Sequence, residues 1–334
     1  FERRINMISE VANGIHMISL PFPRTRVKSI NEIKLYVVRG GERNLLIDTG
    51  LNEPQYFELL MEDLRQLRID MENTDIFLTH IHADHSGSLN RLKRDSNKVF
   101  AVKEEAEAAN ALCTDDYWRD RYRQYRAEGL PMSYETFIAS HPGCEFFPEA
   151  PVDFAIIEDG GRIDVGGYSF CCIVTPGHSP AHTCLYDEKT GTLLGGDVIL
   201  SDAAPILFFE EGMDNPLNEY LKSLDIIEKL NVKTLLPGHG EIRIDVYKRI
   251  AELRRHYGEK ARQIIGLLKE YGPMNAWKTA EYTTRLELPR ELSSLSDVSK
   301  WFFFLPACMT LKYLAAKGQI VAEQNDEGIF VYSV

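Results

Sequence analysis

Four potential metal ligands fall within six consecutive positions: His80, His82, Asp84 and His85, in Thr79-His80-Ile81-His82-Ala83-Asp84-His85. The segment continues the short apolar run Asp75-Ile76-Phe77-Leu78-Thr79, which reads as a strand. Alternate residues of an extended chain share a face, so His80 and His82 point the same way. Asp84 and His85 then fall on the following turn, able to face a second ion beside the first. Polar groups this concentrated need partners once buried. Imidazole and carboxylate together suit zinc, iron or manganese, with geometry choosing among them.

Three later segments place a ligand just after an apolar run. Val174-Thr175-Pro176-Gly177-His178-Ser179-Pro180 sets His178 on a Pro/Gly turn. Leu194-Gly195-Gly196-Asp197 ends a strand with a carboxylate, and its glycines permit close backbone approach. Leu235-Leu236-Pro237-Gly238-His239-Gly240 repeats the arrangement with His239. Each piece alone is commonplace, but their order after the first cluster is specific. Two further residues read either as support for the ligands or as ordinary structure: Asp48, in Leu46-Ile47-Asp48-Thr49-Gly50, and His182, four residues after His178. His16, His141 and His256 stand alone and read as structural or surface residues.

Around these segments strands and helices interleave, which indicates an α/β sandwich. Residues 33–38 and 44–48 flank the turn Arg39-Gly40-Gly41-Glu42-Arg43 as a hairpin. Helical spacing follows in 57–67, with Leu59, Leu60, Leu64 and Leu67. Strands are expected at 98–102, 154–157, 168–174, 191–197 and 234–236, and helices at 103–113 and 215–230. Residues 114–150 break this rhythm. They are charged and aromatic, then punctuated by Gly and Pro, and read as an inserted helical segment: a lid or subunit contact, or else a solvated excursion. From about residue 243 the character changes to helices at 247–271, 276–282 and 298–317, followed by two short strands around an Asp326-Glu327-Gly328 turn. That order resembles a winged helix.

The ligand pattern resembles the metallo-β-lactamase superfamily, whose HxHxDH motif, second His, Asp and third His bind a dinuclear centre. The resemblance covers roughly residues 15–242, with every ligand position filled. It implies an αββα sandwich in residues 1–242 and a small winged-helix-like domain in 243–334. Carried over, His80, His82 and His178 would hold the first metal, and Asp84, His85 and His239 the second, with Asp197 bridging. The ions would be two divalent metals, zinc first, with iron or manganese as alternatives. Asp48 matches a buried family Asp that orients a metal-binding His, and His182 a supporting residue rather than a ligand. His85 and Asp197 distinguish the set from the cysteine-containing antibiotic-hydrolysing branch.

Such a centre lowers the pKa of a shared water and polarises a carbonyl or phosphoryl oxygen. The implied activity is hydrolysis of a carbonyl ester-type bond (thioester, lactone or ester) in a small molecule, with Asp84 also passing a proton to the leaving group. Leu200 stands where acyl-homoserine lactonases place a Tyr. Two other readings stay open: a single-strand endoribonuclease, from the winged-helix resemblance, and a mononuclear iron enzyme that oxidises a persulfide.

Charge weighs against nucleic acid, which needs a basic surface. The net charge is −12. Residues 241–334 carry 14 basic and 12 acidic side chains, leaving 24 against 38 in the part with the ligands. The basic residues of the tail (Arg243, Lys248, Arg249, Arg254, Arg255) are interleaved with acidic ones, as on a solvated helix. No apolar run reaches the ~18 residues of a membrane span. The longest, 301–311, contains Pro306 and reads as a buried helix. The opening Phe1-Glu2-Arg3-Arg4 has no apolar signal core. Cys113, Cys144, Cys171, Cys172, Cys184 and Cys308 are scattered without a CxxC pair, as expected of reduced thiols in a cytoplasmic protein. A homodimer is compatible with the sequence.

Overall fold

The computed structural model describes residues 8–22, 31–210, 212–242, 244–288 and 290–334. The opening Phe1-Glu2-Arg3-Arg4 and Arg243, named above, lie outside them.

Seven strands form the first sheet in chain order: β1 (Ile8–Ala12), β2 (Ile15–Pro21), β3 (Glu32–Val38), β4 (Asn44–Ile47), β5 (Thr74–Phe77), β6 (Val99–Ala101) and β7 (Ala155–Ile156). β3 and β4 pair antiparallel across the expected hairpin, and β4 to β7 run parallel. The second sheet contains β8 (Arg162–Val165), β9 (Tyr168–Val174), β10 (Thr183–Asp187), β11 (Thr192–Gly196) and β12 (Thr234–Pro237). β8 and β10 have no counterpart among the expected strands. β10 is buried at every position, so it shows none of the polar alternation that marks a half-exposed strand.

The pleat explains how two sheets and their helices share one chain. In β3, Tyr36 and Val38 join Leu45, Ile47 and Phe77 in an apolar layer completed by Phe170, Cys172, Leu185, Leu194 and Leu236 of the second sheet. Leu35 and Val37 join the other core, with Leu60 and Leu64 of α1 (Pro54–Gln66) and Leu217 and Leu224 of α7 (Pro216–Glu228). Alternate residues therefore serve opposite faces, giving an αββα sandwich. Phe77 and Phe170 are fully buried, and each such ring contributes about 2–3 kcal/mol by removal from water.

Strand direction positions the site. Asp48 follows β4 and His80 follows β5, which are parallel. β9 and β11 both run opposite to β10, and β12 is parallel to β11. Hence His178, Asp197 and His239 all follow carboxyl ends at one edge of the second sheet. Grouping ligands at the carboxyl ends of strands is the general rule for α/β sheets.

Residues 114–150 are not simply solvated. α5 (Asp115–Ala127) is capped by the Thr114 hydroxyl and buries Tyr117, Trp118, Arg121 and Tyr125 at helical spacing. α6 (Tyr134–Ser140) adds Phe137. The tail supplies the rings that meet them. α8 (Val246–Tyr271) and α9 (Ala276–Glu287) precede α10 (Asp297–Ala316), and an antiparallel hairpin follows, β13 (Val321–Gln324) and β14 (Phe330–Ser333). Trp301 of α10 lies 5.2 Å from the Tyr125 ring, 5.8 Å from Phe137 and 4.8 Å from His141. One apolar core thus runs across residue 243. α10 is apolar on all sides because α6, α7, α8 and α9 surround it. No described helix is long and apolar enough to cross a membrane.

Candidate metal centre

β5 ends at Phe77, and the chain then stays extended through Leu78 and Thr79 to the first histidines. Asp48 lies beside this segment with φ +64, a left-handed conformation that Asp tolerates because its short polar side chain can bond locally. Its Oδ1 accepts from Thr79 N at 2.8 Å, and its Oδ2 accepts from Thr79 Oγ1 at 2.8 Å and from His85 Nδ1 at 2.8 Å. The Thr79 hydroxyl proton is thereby committed, so Thr79 Oγ1 accepts from His80 Nδ1 at 3.0 Å. These bonds commit Nδ1 of both rings, leaving Nε2 of His80 and Nε2 of His85 as the atoms turned toward the other donors.

The same logic applies on the second sheet. His178 Nδ1 donates to Ile206 O at 2.7 Å, and His239 Nδ1 donates to Glu32 O at 2.6 Å. Their Nε2 atoms face inward. His178 Nε2 lies 3.2 Å from His80 Nε2 and 2.9 Å from His82 Nδ1. His239 Nε2 lies 2.9 Å from Asp84 Oδ2 and 3.4 Å from Asp197 Oδ2. His182 is differently used: its Nδ1 donates to Thr175 Oγ1 at 2.8 Å and its Nε2 accepts from Asp197 N at 3.1 Å. Both ring nitrogens are occupied, so His182 supports the end of β11 and offers no lone pair to an ion. A Cβ at Gly196 (φ +47) would lie 2.5 Å from His182 Nε2, and one at Gly238 2.3 Å from Asp197 Oδ1. Only glycine admits these approaches.

Three groups of donors result, each with its atoms within 4.8 Å of one another: His80, His82 and His178; His80, His85 and Asp197; Asp84, His85 and His239. All seven ligand candidates therefore meet in one place. They fit cations on two counts. The bare Nε2 atoms of His80 and His178 face each other, an arrangement that repels unless positive charge lies between them. His85 Nε2 and Asp197 Oδ1 are also buried without a hydrogen-bond partner among the described residues, a costly state that a bound ion relieves. Charge differs between the donor groups. Burial and the neighbouring imidazoles hold His80 and His82 well below the usual histidine range, so both are neutral. Burial opposes charge at His239 too, yet the Asp197 and Asp84 carboxylates raise it to about 10. Asp84, against its own burial, is held well below the usual carboxylate range by His85 and His239.

One residue at the centre goes unremarked in the sequence. Glu105 lies in the first turn of α4 (Lys103–Ala111) and is fully buried. Its Oε1 accepts from Ile81 N at 2.7 Å and its Oε2 from Ala181 N at 2.8 Å. Burial pushes its carboxyl up to about 7. It sits in an Ala- and Glu-rich helix whose other acids are solvated, and only its place just after a strand end sets it apart. Two aromatic rings border the donors. Phe208 lies 4.8 Å from the His82 ring and Phe22 5.8 Å from His239. His141, expected to be structural or at the surface, is buried behind Phe208 at 5.6 Å, where burial lowers it to about 3.

Two packed sheets with His and Asp side chains gathered at their strand ends define a class of metal-binding hydrolytic enzymes. The sequence profile of the metallo-beta-lactamase superfamily matches residues 33–239, and the chain belongs to that superfamily. It is 28% identical over 222 residues to the probable metallo-hydrolase YqjP of Bacillus subtilis (strain 168), covering 64% of this chain and 68% of that protein. It is 27% identical over 222 residues to the acyl-coenzyme A thioesterase MBLAC2 of Homo sapiens, covering 64% and 74%. Among solved structures, a metallo-beta-lactamase family protein from Thermus thermophilus superposes with a TM-score of 0.80 at 23% identity, over 97% of this chain and 99% of that one. The shared fold thus includes the C-terminal helices and hairpin.

Proposed function

We propose that the chain hydrolyses a thioester of a small acyl compound, using two divalent ions, with zinc the first expectation. His80, His82 and His178 would hold one ion and Asp84, His85 and His239 the other, with Asp197 between them. The observation that carries this reading is the convergence of seven donor atoms, several of them buried without partners, at the carboxyl ends of both sheets. Divalent ions held there supply a nucleophile derived from water at neutral pH and a Lewis acid for the carbonyl oxygen. Asp48, Thr79 and the carbonyls of Ile206 and Glu32 keep His85, His80, His178 and His239 turned toward that place. Asp84 is the more exposed of the two carboxylates, its side chain 16% accessible against 7% for Asp197. It is therefore the one placed to pass a proton to the departing sulfur. Phe208 and Phe22 border the donors with apolar surface, which suits an acyl chain and excludes water.

Thioesters are preferred to other carbonyl esters because a relative matched over 74% of its length carries that activity in its name. The order helix, helix, helix, hairpin after residue 243 is that of a winged helix. We read residues 243–334 as such a unit, used here to pack against residues 114–150 rather than to bind nucleic acid.

Metal content of the purified chain, measured beside hydrolysis of an acyl-coenzyme A, an aryl ester, a lactone and single-stranded RNA, tests the reading. About two ions per chain, with thioester cleavage lost in Asp84→Ala, is the expected result. A single iron per chain, or cleavage of RNA alone, overturns it.

A further inference from the structure

The contacts to imidazoles described so far orient individual rings, Asp48 reaching two of them. Glu105 acts differently. Its two carboxylate oxygens take backbone N–H groups from two separate ligand-bearing turns. Ile81 lies between His80 and His82, and Ala181 lies between His178 and His182. The first turn follows β5 of one sheet, and the second links β9 to β10 of the other. Glu105 is 0% exposed, so both bonds are made away from water, where leaving either N–H unpaired is costly. A carboxylate is suited to this because each of its oxygens accepts and neither needs to donate. The spacing of the two turns is thereby set by one rigid, planar group.

We propose that Glu105 is a positioning residue for the His80, His82 and His178 group, fixing the distance between the sheet edges that carry those imidazoles. The inference rests on the reading of these histidines as metal ligands. The Asp84, His85 and His239 group does not depend on Glu105 in this way. His85 is held by Asp48 and by Thr49, whose N and Oγ1 lie 2.7 and 2.8 Å from His85 O, and His239 by the Glu32 carbonyl. One of two adjacent ion sites is therefore tuned by a side chain that touches neither the ions nor the substrate.

The test is stepwise cobalt(II) binding by the full chain, followed by calorimetry and by the visible absorption of the bound ion. Glu105→Gln keeps size and shape, but its amide offers one acceptor where two are needed and turns an N–H toward the other donor. The expected result is that one of two binding steps weakens ~10- to 100-fold, the scale typical for residues that orient ligands. The other step stays within about twofold. In a His178→Ala background, where that step is already lost, Glu105→Gln should have no further effect. Glu105→Asp, which keeps the charge but reaches only one N–H, should fall between and serves as the second variant where the amide protein does not fold. Unchanged binding in a Glu105→Gln protein whose metal-free melting temperature has fallen would overturn the proposal, leaving Glu105 a structural residue only. Wild-type binding in His178→Ala would instead show that the histidines are not ligands, overturning the underlying reading as well.

Discussion

Asp48 Oδ2 lies 2.8 Å from His85 Nδ1, and the same carboxylate holds His80 through the Thr79 hydroxyl. One acid thus fixes a histidine in each donor group. Asp48→Asn should weaken binding of both ions, by about 10- to 100-fold each, while the secondary structure persists because Asn also tolerates the left-handed backbone. Competition with a chromophoric chelator reads this directly. Unchanged affinity would mean that the tautomers of His80 and His85 are set elsewhere.

Phe208 packs on His82, and its chain neighbour Ile206 holds His178. Phe208→Ala should raise KM for long acyl thioesters several-fold more than for the acetyl compound. It should also cost about 3–5 kcal/mol of stability as a buried ring lost from the core. A series of acyl chain lengths, with denaturant unfolding alongside, separates the two effects. Equal losses at every chain length would argue against an acyl-binding role.

Trp301 is 1% exposed, and its Nε1 donates to Ser140 Oγ at 3.2 Å. Trp301→Ala should destabilise the fold by about 3–5 kcal/mol, lowering the melting temperature while the folded fraction still binds its ions. A melting temperature close to wild type would show that α10 packs independently of α5 and α6.

Glu210 gives a pH dependence whose sign is opposite to that of a salt-bridged carboxylate. Burial raises its carboxyl to about 7, despite the Tyr117 hydroxyl that bonds it and the Arg121 guanidinium 3.9 Å away. The folded value exceeds the unfolded one, so its contribution is fully present below about pH 4.5 and is lost as pH rises through 7. Wild type should therefore lose stability relative to Glu210→Gln between about pH 4.5 and 7 and level off above that, by on the order of 1–3 kcal/mol in all. Glu105 has the same sign and is common to both proteins. Parallel stability curves for the two would remove Glu210 as the cause.

The candidate donors were legible because each sits at the end of an apolar run, where a His or Asp has no packing reason to be. His80, His82, His178, Asp197 and His239 all carry that signature, and the strands before them could be read with the same pattern. Glu105 carries no such mark. What distinguishes it from Glu104 and Glu107 is the contact it makes with turns 24 and 76 residues away, and helical composition says nothing of distance. The buried face of α5 was obscured for a related reason. Tyr117, Trp118, Arg121 and Tyr125 share the helix with six exposed or half-exposed charges, so the segment averages to a polar surface helix while one stripe of it is core. β10 is as fully buried as β11, but its three apolar residues lie between Thr183 and Asp187 with none of the glycines that bracket β11.

The aromatic wall behind the candidate metal centre has a consequence for how the chain is made. Rings run from His82 to Phe208, His141 and Trp301, and Trp301 bonds a serine 161 residues earlier in the sequence. All seven donors have left the ribosome before α10 exists. Until it arrives, Tyr125, Phe137 and His141 lack their partner, and the nascent protein offers a complete set of candidate metal donors in front of an open, sticky hollow. Chains of this kind fold through intermediates with exposed apolar surface, and here that surface lies next to the ligands. Synthesis that stalls short of residue 301 would therefore yield a protein that captures metal but aggregates.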